Sequence, residues 1–246
     1  MRLVSWDNLP PCMQNESVRK YYEVLEKKKI SLLIKRIFDL IVSALLLVIL
    51  LPLFFLISMA IKIDSRGPIL YRQVRITQYG RPFKILKFRT MANDADKIGA
   101  HVTTANDNRI TRVGRVIRKL RLDEIPQLVN IILGDMTFVA TRPEVPKFTE
   151  QYSCEMLATL LLPAGVTSEA SIQYKDEEKL ISKGKDADRT YVEDVLPEKM
   201  KYNLNSLINF SLLNDIKTMV RTVFAVLGKV KYPENHLKFK SKDYQL

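Results

Sequence analysis

Between Asp39 and Lys62 the chain carries no charged residue. Residues 40–61 read LIVSALLLVILLPLFFLISMAI. At helical rise, such a run can cross a bilayer core of about 30 Å. A buried helix of a soluble protein rarely stays apolar for so long, so insertion into a membrane is expected. Pro52 lies near the middle, where a proline removes a backbone donor and bends the helix. Lys27, Lys28, Lys29, Lys35 and Arg36 precede the run, and Lys62, Arg66, Arg72, Arg75 and Arg81 follow it. With both flanks basic, the charge rule for membrane orientation favours neither direction. A helix that dips in, breaks at Pro52 and returns leaves both flanks on one face. That re-entrant arrangement is the expectation; a proline-kinked spanning helix is the alternative.

A formal net charge of +12 with 47% hydrophobic residues points to a partner that is anionic and lipidic, or to nucleic acid. Cys12 and Cys154 are the two cysteines, with no CxxC pair and no nearby His, so neither a disulfide nor a cysteine-ligated metal centre is expected, and free thiols suit a reducing compartment. His101 and His236 are isolated and read as surface residues. The opening residues lack an apolar core, so no cleaved leader is expected. Residues 17–29 form a short charged helix ending in three lysines. It is expected to lie against anionic headgroups, where each charge is worth roughly 1 kcal/mol; a solvated helix is the alternative.

After a turn at Asp64-Ser65-Arg66-Gly67-Pro68, the runs 69–75 and 82–90 flank Tyr79-Gly80 and predict a β-hairpin. Lys84, Lys87 and Arg89 would form its cationic row. Residues 92–100 read as helix and 102–108 as a loop, either a cover over a site or a plain connector. Residues 112–120 read as a helix carrying Arg115, Arg118 and Lys119. Then comes Arg121-Leu122-Asp123-Glu124-Ile125-Pro126-Gln127, followed by apolar residues at helical spacing up to the stop at Gly134. Pro126 suits a first helical turn, which places Asp123 near the N-cap, where an ionised carboxylate is favoured. An ordinary capping Asp would look the same. Further amphipathic helices are expected over 146–162 and 199–231, the latter packed on the core or lying in the membrane interface. Asp176-Glu177-Glu178 reads as solvated surface.

Several of these motifs, taken in order, resemble the bacterial sugar transferase family, the small monotopic polyprenyl-phosphate phosphoglycosyl transferases. They are Lys35-Arg36-Ile37-Phe38-Asp39, Gly67-Pro68, Gln73-Val74-Arg75, Lys87-Phe88-Arg89-Thr90-Met91, the Asp123-Glu124 stretch, Gly134-Asp135-Met136, Arg142-Pro143 and Pro163-Ala164-Gly165-Val166-Thr167. The resemblance implies transfer of a sugar 1-phosphate from a nucleotide diphosphate sugar, a uridine diphosphate sugar above all, to polyprenyl (undecaprenyl) phosphate. It implies Asp123 as nucleophile, with a phosphosugar–Asp intermediate, and Glu124 as metal ligand or general base. Lys87, Arg89, Arg118 and Arg142 would bind phosphate. Mg²⁺ held by Asp123 and Glu124 is expected, because phosphates and a carboxylate do not approach one another unscreened. Pro52 would be the helix break. The chain departs from the family pattern in having Leu51 before that proline, Ala140-Thr141-Arg142-Pro143 near the site, and Thr167-Ser168-Glu169-Ala170 later.

The expected fold is α+β, mainly helical with a small β-hairpin, in a monotopic membrane protein with a Pro-broken re-entrant helix and interfacial amphipathic helices. The expected parts are a basic extension (1–31), the membrane helix (32–62), a cytosolic catalytic domain (63–231) and a basic tail (232–246). The resemblance implies a bacterial inner membrane location, with the catalytic domain on the cytoplasmic face and inner-membrane lipids as partners. No nucleic acid is expected, because no recognition motif of that class is present and binding it would leave residues 40–61 unexplained. A non-catalytic membrane-anchored module for anionic lipid or polymer is the other reading; it leaves Asp123 and Glu124 idle.

Overall fold

A computed structural model of the chain describes residues 1, 3–92, 108–175, 177, 181 and 186–228. The helix and loop expected over 92–108 and the basic tail lie almost wholly outside them, as do His101 and His236.

Helix α1 (Glu16–Glu26) is capped by Asn15, whose side chain accepts the Val18 N–H. Its Val18, Tyr21, Tyr22 and Leu25 are buried, in one cluster with Leu160, Leu161, Leu207 and Phe210. Lys20 pairs with Glu155, and Lys28 donates to the carbonyls of Ile208 and Phe210. The amino-terminal segment is therefore folded onto the body. The next helix, α2 (Lys29–Ile49), runs through the boundary expected at residue 31.

Helix α3 (Leu51–Asp64) follows α2 after one non-helical residue, Leu50, and is bent from it by 60°. Pro52 sits in the first turn of α3, where its missing N–H costs nothing. Among the described residues no single helix is long and apolar enough to cross a membrane; the bent α2–α3 pair meets that test together. Both helices expose large apolar side chains, including Ile41, Leu45, Val48, Phe55, Leu56 and Met59.

The charged first half of α2 is the part that docks. Lys35 is 1% exposed and reaches Asp215 at 2.6 Å and Asp39 at 3.5 Å, while Thr137 donates to Asp39. Arg36 donates to the carbonyls of Ile131 and Ile132, at the end of helix α5 described below. Buried charges need such partners to remain folded inside.

Strands β1 (Leu70–Ile76) and β2 (Pro82–Phe88) form the expected antiparallel hairpin, with Tyr71 opposite Lys87 and Gln73 opposite Ile85. Its turn holds Tyr79 and Gly80 in left-handed backbone. Strand alternation corrects the expected cationic row. Lys84, three residues from Lys87, is exposed on the other face; Lys87 and Arg89 share the face of buried Phe83 and Ile85.

Helix α4 (Arg112–Lys119) is capped by Thr111 and also receives Asp64, which accepts the Val113 N–H. Gly114 lets α4 touch the end of β2, since a Cβ there would meet the Thr90 carbonyl oxygen at 2.0 Å. Helix α5 (Gln127–Leu133) ends at left-handed Gly134 as expected. Asn130 of α5 ties it to β2 through Leu86 N and Lys84 O.

Strand β3 (Met136–Val139), helix α6 (Pro146–Thr149) and strand β4 (Ala164–Thr167) come next. Strands β3 and β4 pair in parallel, a second small sheet that the sequence did not reveal. Of the helix expected over 146–162 only α6 and a 3₁₀ segment, Met156–Leu161, form; the Ser153 hydroxyl accepts the Met156 N–H between them. Helix α7 (Glu169–Gln173) precedes α8 (Ala187–Thr190), a π-helical turn (Tyr191–Val195), α9 (Leu196–Ile208) and α10 (Leu212–Val226). The helical region expected over 199–231 is divided between α9 and α10, where Ser211 caps α10 through the Asn214 N–H.

Candidate active site

Arg121 has φ 56°, a left-handed conformation that costs an arginine about 1–2 kcal/mol. It ends α4 and turns the chain into a 3₁₀ segment, Leu122–Glu124. Asp123 and Glu124 therefore precede α5 by a full turn. This corrects the expected N-cap: Pro126, not Asp123, flanks the first residue of α5.

The two carboxylates differ. Glu124 is buried and gripped at both oxygens by the Arg142 guanidinium, at 2.6 Å and 3.0 Å. Lys87 lies 3.6 Å and Arg121 3.8 Å from its Oε1. Burial alone would raise its pKa; Arg142 and Lys87 outweigh burial and hold the carboxyl far below the usual range. Asp123 is as buried, yet its Oδ1 has no hydrogen-bond partner. Burial pushes its pKa up; Lys87, Arg121 and Arg118 counter this, while the Glu124 charge adds to it. One acid is thus a fixed anion inside a cationic clamp, and the other is a carboxylate with a buried, unpartnered oxygen.

Both face a cleft of about 1560 Å³. One end is lined by Leu46, Leu50 and Phe54, at the α2–α3 break. Among the described residues the cleft carries twelve cationic side chains against three carboxylates, Asp123, Glu124 and Glu177. Of the residues expected to bind phosphate, Lys87, Arg89, Arg118 and Arg142 all line it. Arg89 is 5% exposed and donates to Ser65 Oγ and to the carbonyls of Ser65 and Arg66. It braces the end of α3 against β2. Pro52 is in the helix break and does not line the cleft.

A hard divalent cation fits the donors in part. Asp123 Oδ1 is an orphaned carboxylate oxygen of the right chemistry, whereas both Glu124 oxygens are committed to Arg142. Among the described residues no three Asp, Glu, His or Cys side chains gather into a cage, so substrate phosphate oxygens would complete such a site.

Sequence reasoning passed over Glu144, Tyr191 and Lys199, and read Glu177 as surface. Lys199 donates to Tyr191 Oη and Glu177 Oε2, and Tyr191 donates to Glu144. Tyr191 and Lys199 are eight apart, a helical spacing, but the partners come from distant segments.

A small α+β body thus joins a bent apolar helix pair to an arginine-rich cleft around an Asp–Glu pair. The profile of the bacterial sugar transferase family matches residues 30–229, and the chain belongs to that family. It is 34% identical over 202 residues to the UDP-glucose:undecaprenyl-phosphate glucose-1-phosphate transferase of Klebsiella pneumoniae, covering 79% of this chain and 40% of that protein. It is 41% identical over 135 residues to a putative undecaprenyl-phosphate N-acetylgalactosaminyl 1-phosphate transferase of Bacillus subtilis, covering 55% of this chain and 75% of that protein. An exopolysaccharide production protein of Sinorhizobium fredii is 32% identical over 207 residues, covering 78% and 84% respectively.

Proposed function

We propose that this chain transfers a sugar 1-phosphate from a nucleotide diphosphate sugar to polyprenyl phosphate, through a phosphosugar intermediate on Asp123. The observation that carries the reading is the orphaned, buried Asp123 Oδ1 in a cationic cleft that reaches the apolar helix break. The names of the relatives support a uridine diphosphate sugar as donor and undecaprenyl phosphate as acceptor. The exopolysaccharide production relative of Sinorhizobium fredii supports a role in polysaccharide assembly. A bacterial inner membrane, with the cleft on its cytoplasmic face, fits the basic flanks of the helix pair.

In the first step an Asp123 oxygen attacks the sugar-bearing phosphorus. The bond from that phosphorus to the bridging oxygen breaks, and nucleoside monophosphate leaves with that oxygen. In the second, a phosphate oxygen of the lipid attacks the same phosphorus and the Asp123 carboxylate departs. The catalytic demand is positioning and dispersal of charge on the phosphoryl oxygens. Lys87 and Arg118 meet it from the cleft wall, and Arg142 fixes Glu124 beside the nucleophile. Bound Mg²⁺ would supply charge neutralisation between phosphate and carboxylate, with Asp123 as the protein oxygen positioned for it. Glu124 acts as an anchor for Arg142 rather than as a base, since its carboxylate holds a proton poorly.

The test is release of labelled nucleoside monophosphate from a panel of nucleotide sugars with polyprenyl phosphate and Mg²⁺. Wild type should release it and Asp123→Asn should not. No release from any donor defeats the reading, and covalent label on Asp123→Asn moves the nucleophile elsewhere.

A further inference from the structure

The third carboxylate of the cleft, Glu177, sits badly with phosphate binding, because a carboxylate repels the anion that the surrounding cations attract. A carboxylate on this wall suits a part of the ligand that is not phosphate. Glu177 is one-third exposed, and its Oε2 accepts from Lys199 at 2.9 Å. Lys199 stands on a buried platform, with Tyr191 Oη at 3.0 Å and Glu144 Oε1 at 3.9 Å. Glu144 lies two residues after Arg142, so one short segment carries both the clamp on Glu124 and the base of this platform. Arg142, Asp123 and Glu177 all line the one cleft. Tyr174 lines the same wall. The π-helical turn that presents Tyr191 is a distortion that recurs at functional sites.

We propose that Glu177, oriented by Lys199 from the Glu144–Tyr191 platform, accepts hydrogen bonds from hydroxyl groups of the transferred sugar and sets which sugar is taken. The inference rests on the transferase reading above. In that reading the sugar is joined through one oxygen to the phosphorus that Asp123 attacks, so it must lie beside Arg142. The nucleoside lies a phosphate further away. Glu177 contacts substrate, and Lys199 is a positioning residue. A site that hydrogen-bonds a hydroxyl rejects the analogue lacking it strongly, because its own polar group is then left unpaired.

The experiment compares wild type with Glu177→Gln on uridine diphosphate sugars that differ at one hydroxyl, reading kcat/KM, calorimetric binding and competition by uridine monophosphate. The half-exposed setting of Glu177 makes this variant safe to fold. We expect about tenfold or greater loss on the best sugar, a flattened ranking across the panel, and unchanged competition by uridine monophosphate. Tyr191→Phe should flatten the ranking in the same sense while sparing that competition. An unchanged ranking in Glu177→Gln overturns the inference alone. Equal loss of uridine monophosphate affinity also overturns it, by assigning Glu177 to the base. Wild type that binds and ranks the sugars without turnover defeats the transferase reading and leaves the binding role of Glu177 standing.

Discussion

Asp123 and Glu124 are neighbours in sequence with opposite environments, and that contrast gives two predictions. Arg142 grips Glu124 through both fork nitrogens, a geometry lysine cannot reproduce. Arg142→Lys should lose a charged hydrogen bond worth about 1.5–3 kcal/mol, or roughly 10- to 150-fold in kcat/KM. Steady-state rates with the best nucleotide sugar check this. Burial raises the folded pKa of Asp123 above the usual carboxylate range. Its charge therefore opposes folding at neutral pH, the reverse of a carboxylate whose pKa is depressed. With chelator present, Asp123→Asn should melt higher than wild type by roughly 2–4 °C for each kcal/mol relieved. The gap should close as pH falls through the raised pKa, since protonation also removes the charge. A variant that melts lower at neutral pH refutes this account.

At the scale of elements, the α2–α3 break sets the apolar wall of the cleft, at Leu46, Leu50 and Phe54. Leu50 is the one non-helical residue between the two helices, and Pro52 enforces the break by denying α3 an N–H that a straight helix would use. The 40–49 and 51–61 arms would each be about 15 Å long, half of a bilayer core. We predict that cysteines placed before Lys29 and after Asp64, in a background lacking the exposed Cys12 and Cys154, label from the cytoplasmic side in wild type. Pro52→Leu should straighten the pair and export the amino-terminal site. Opposite-side labelling of wild type would rule out a re-entrant helix.

Across the whole molecule, exposed apolar surface is concentrated on α2, α3 and α10. On α10, Leu213, Ile216, Val220, Val223, Phe224 and Leu227 recur at helical spacing and all are exposed. Such a stripe suits the boundary between headgroups and acyl chains. A polarity-sensitive label at Phe224→Cys should shift to the blue on vesicles and be quenched by lipid-borne quenchers. A label that stays in water would place α10 off the membrane. The amino-terminal segment answers to a different force: α1 keeps Arg19 and Lys20 outside and buries four apolar side chains against Leu160–Leu162 and the α9–α10 corner.

Local physics was readable in the chain itself. Periodicity and turn chemistry marked the apolar run, the β1–β2 hairpin around Tyr79-Gly80, α4, and the stop of α5 at Gly134. The order of motifs marked Asp123, Glu124, Lys87 and Arg142. Only the tertiary structure decided what depends on contacts between distant segments. The β3–β4 pair joins strands too short to carry a period. Lys35 pairs with Asp215 across most of the chain. Glu177 looked like solvated surface until Lys199 was beside it. Arg142 and Glu124 become one unit only when β3 carries one to the other, which separates a clamped acid from one with an unpartnered oxygen. A charge is legible in sequence, but its partner, and so its chemistry, is set by folding.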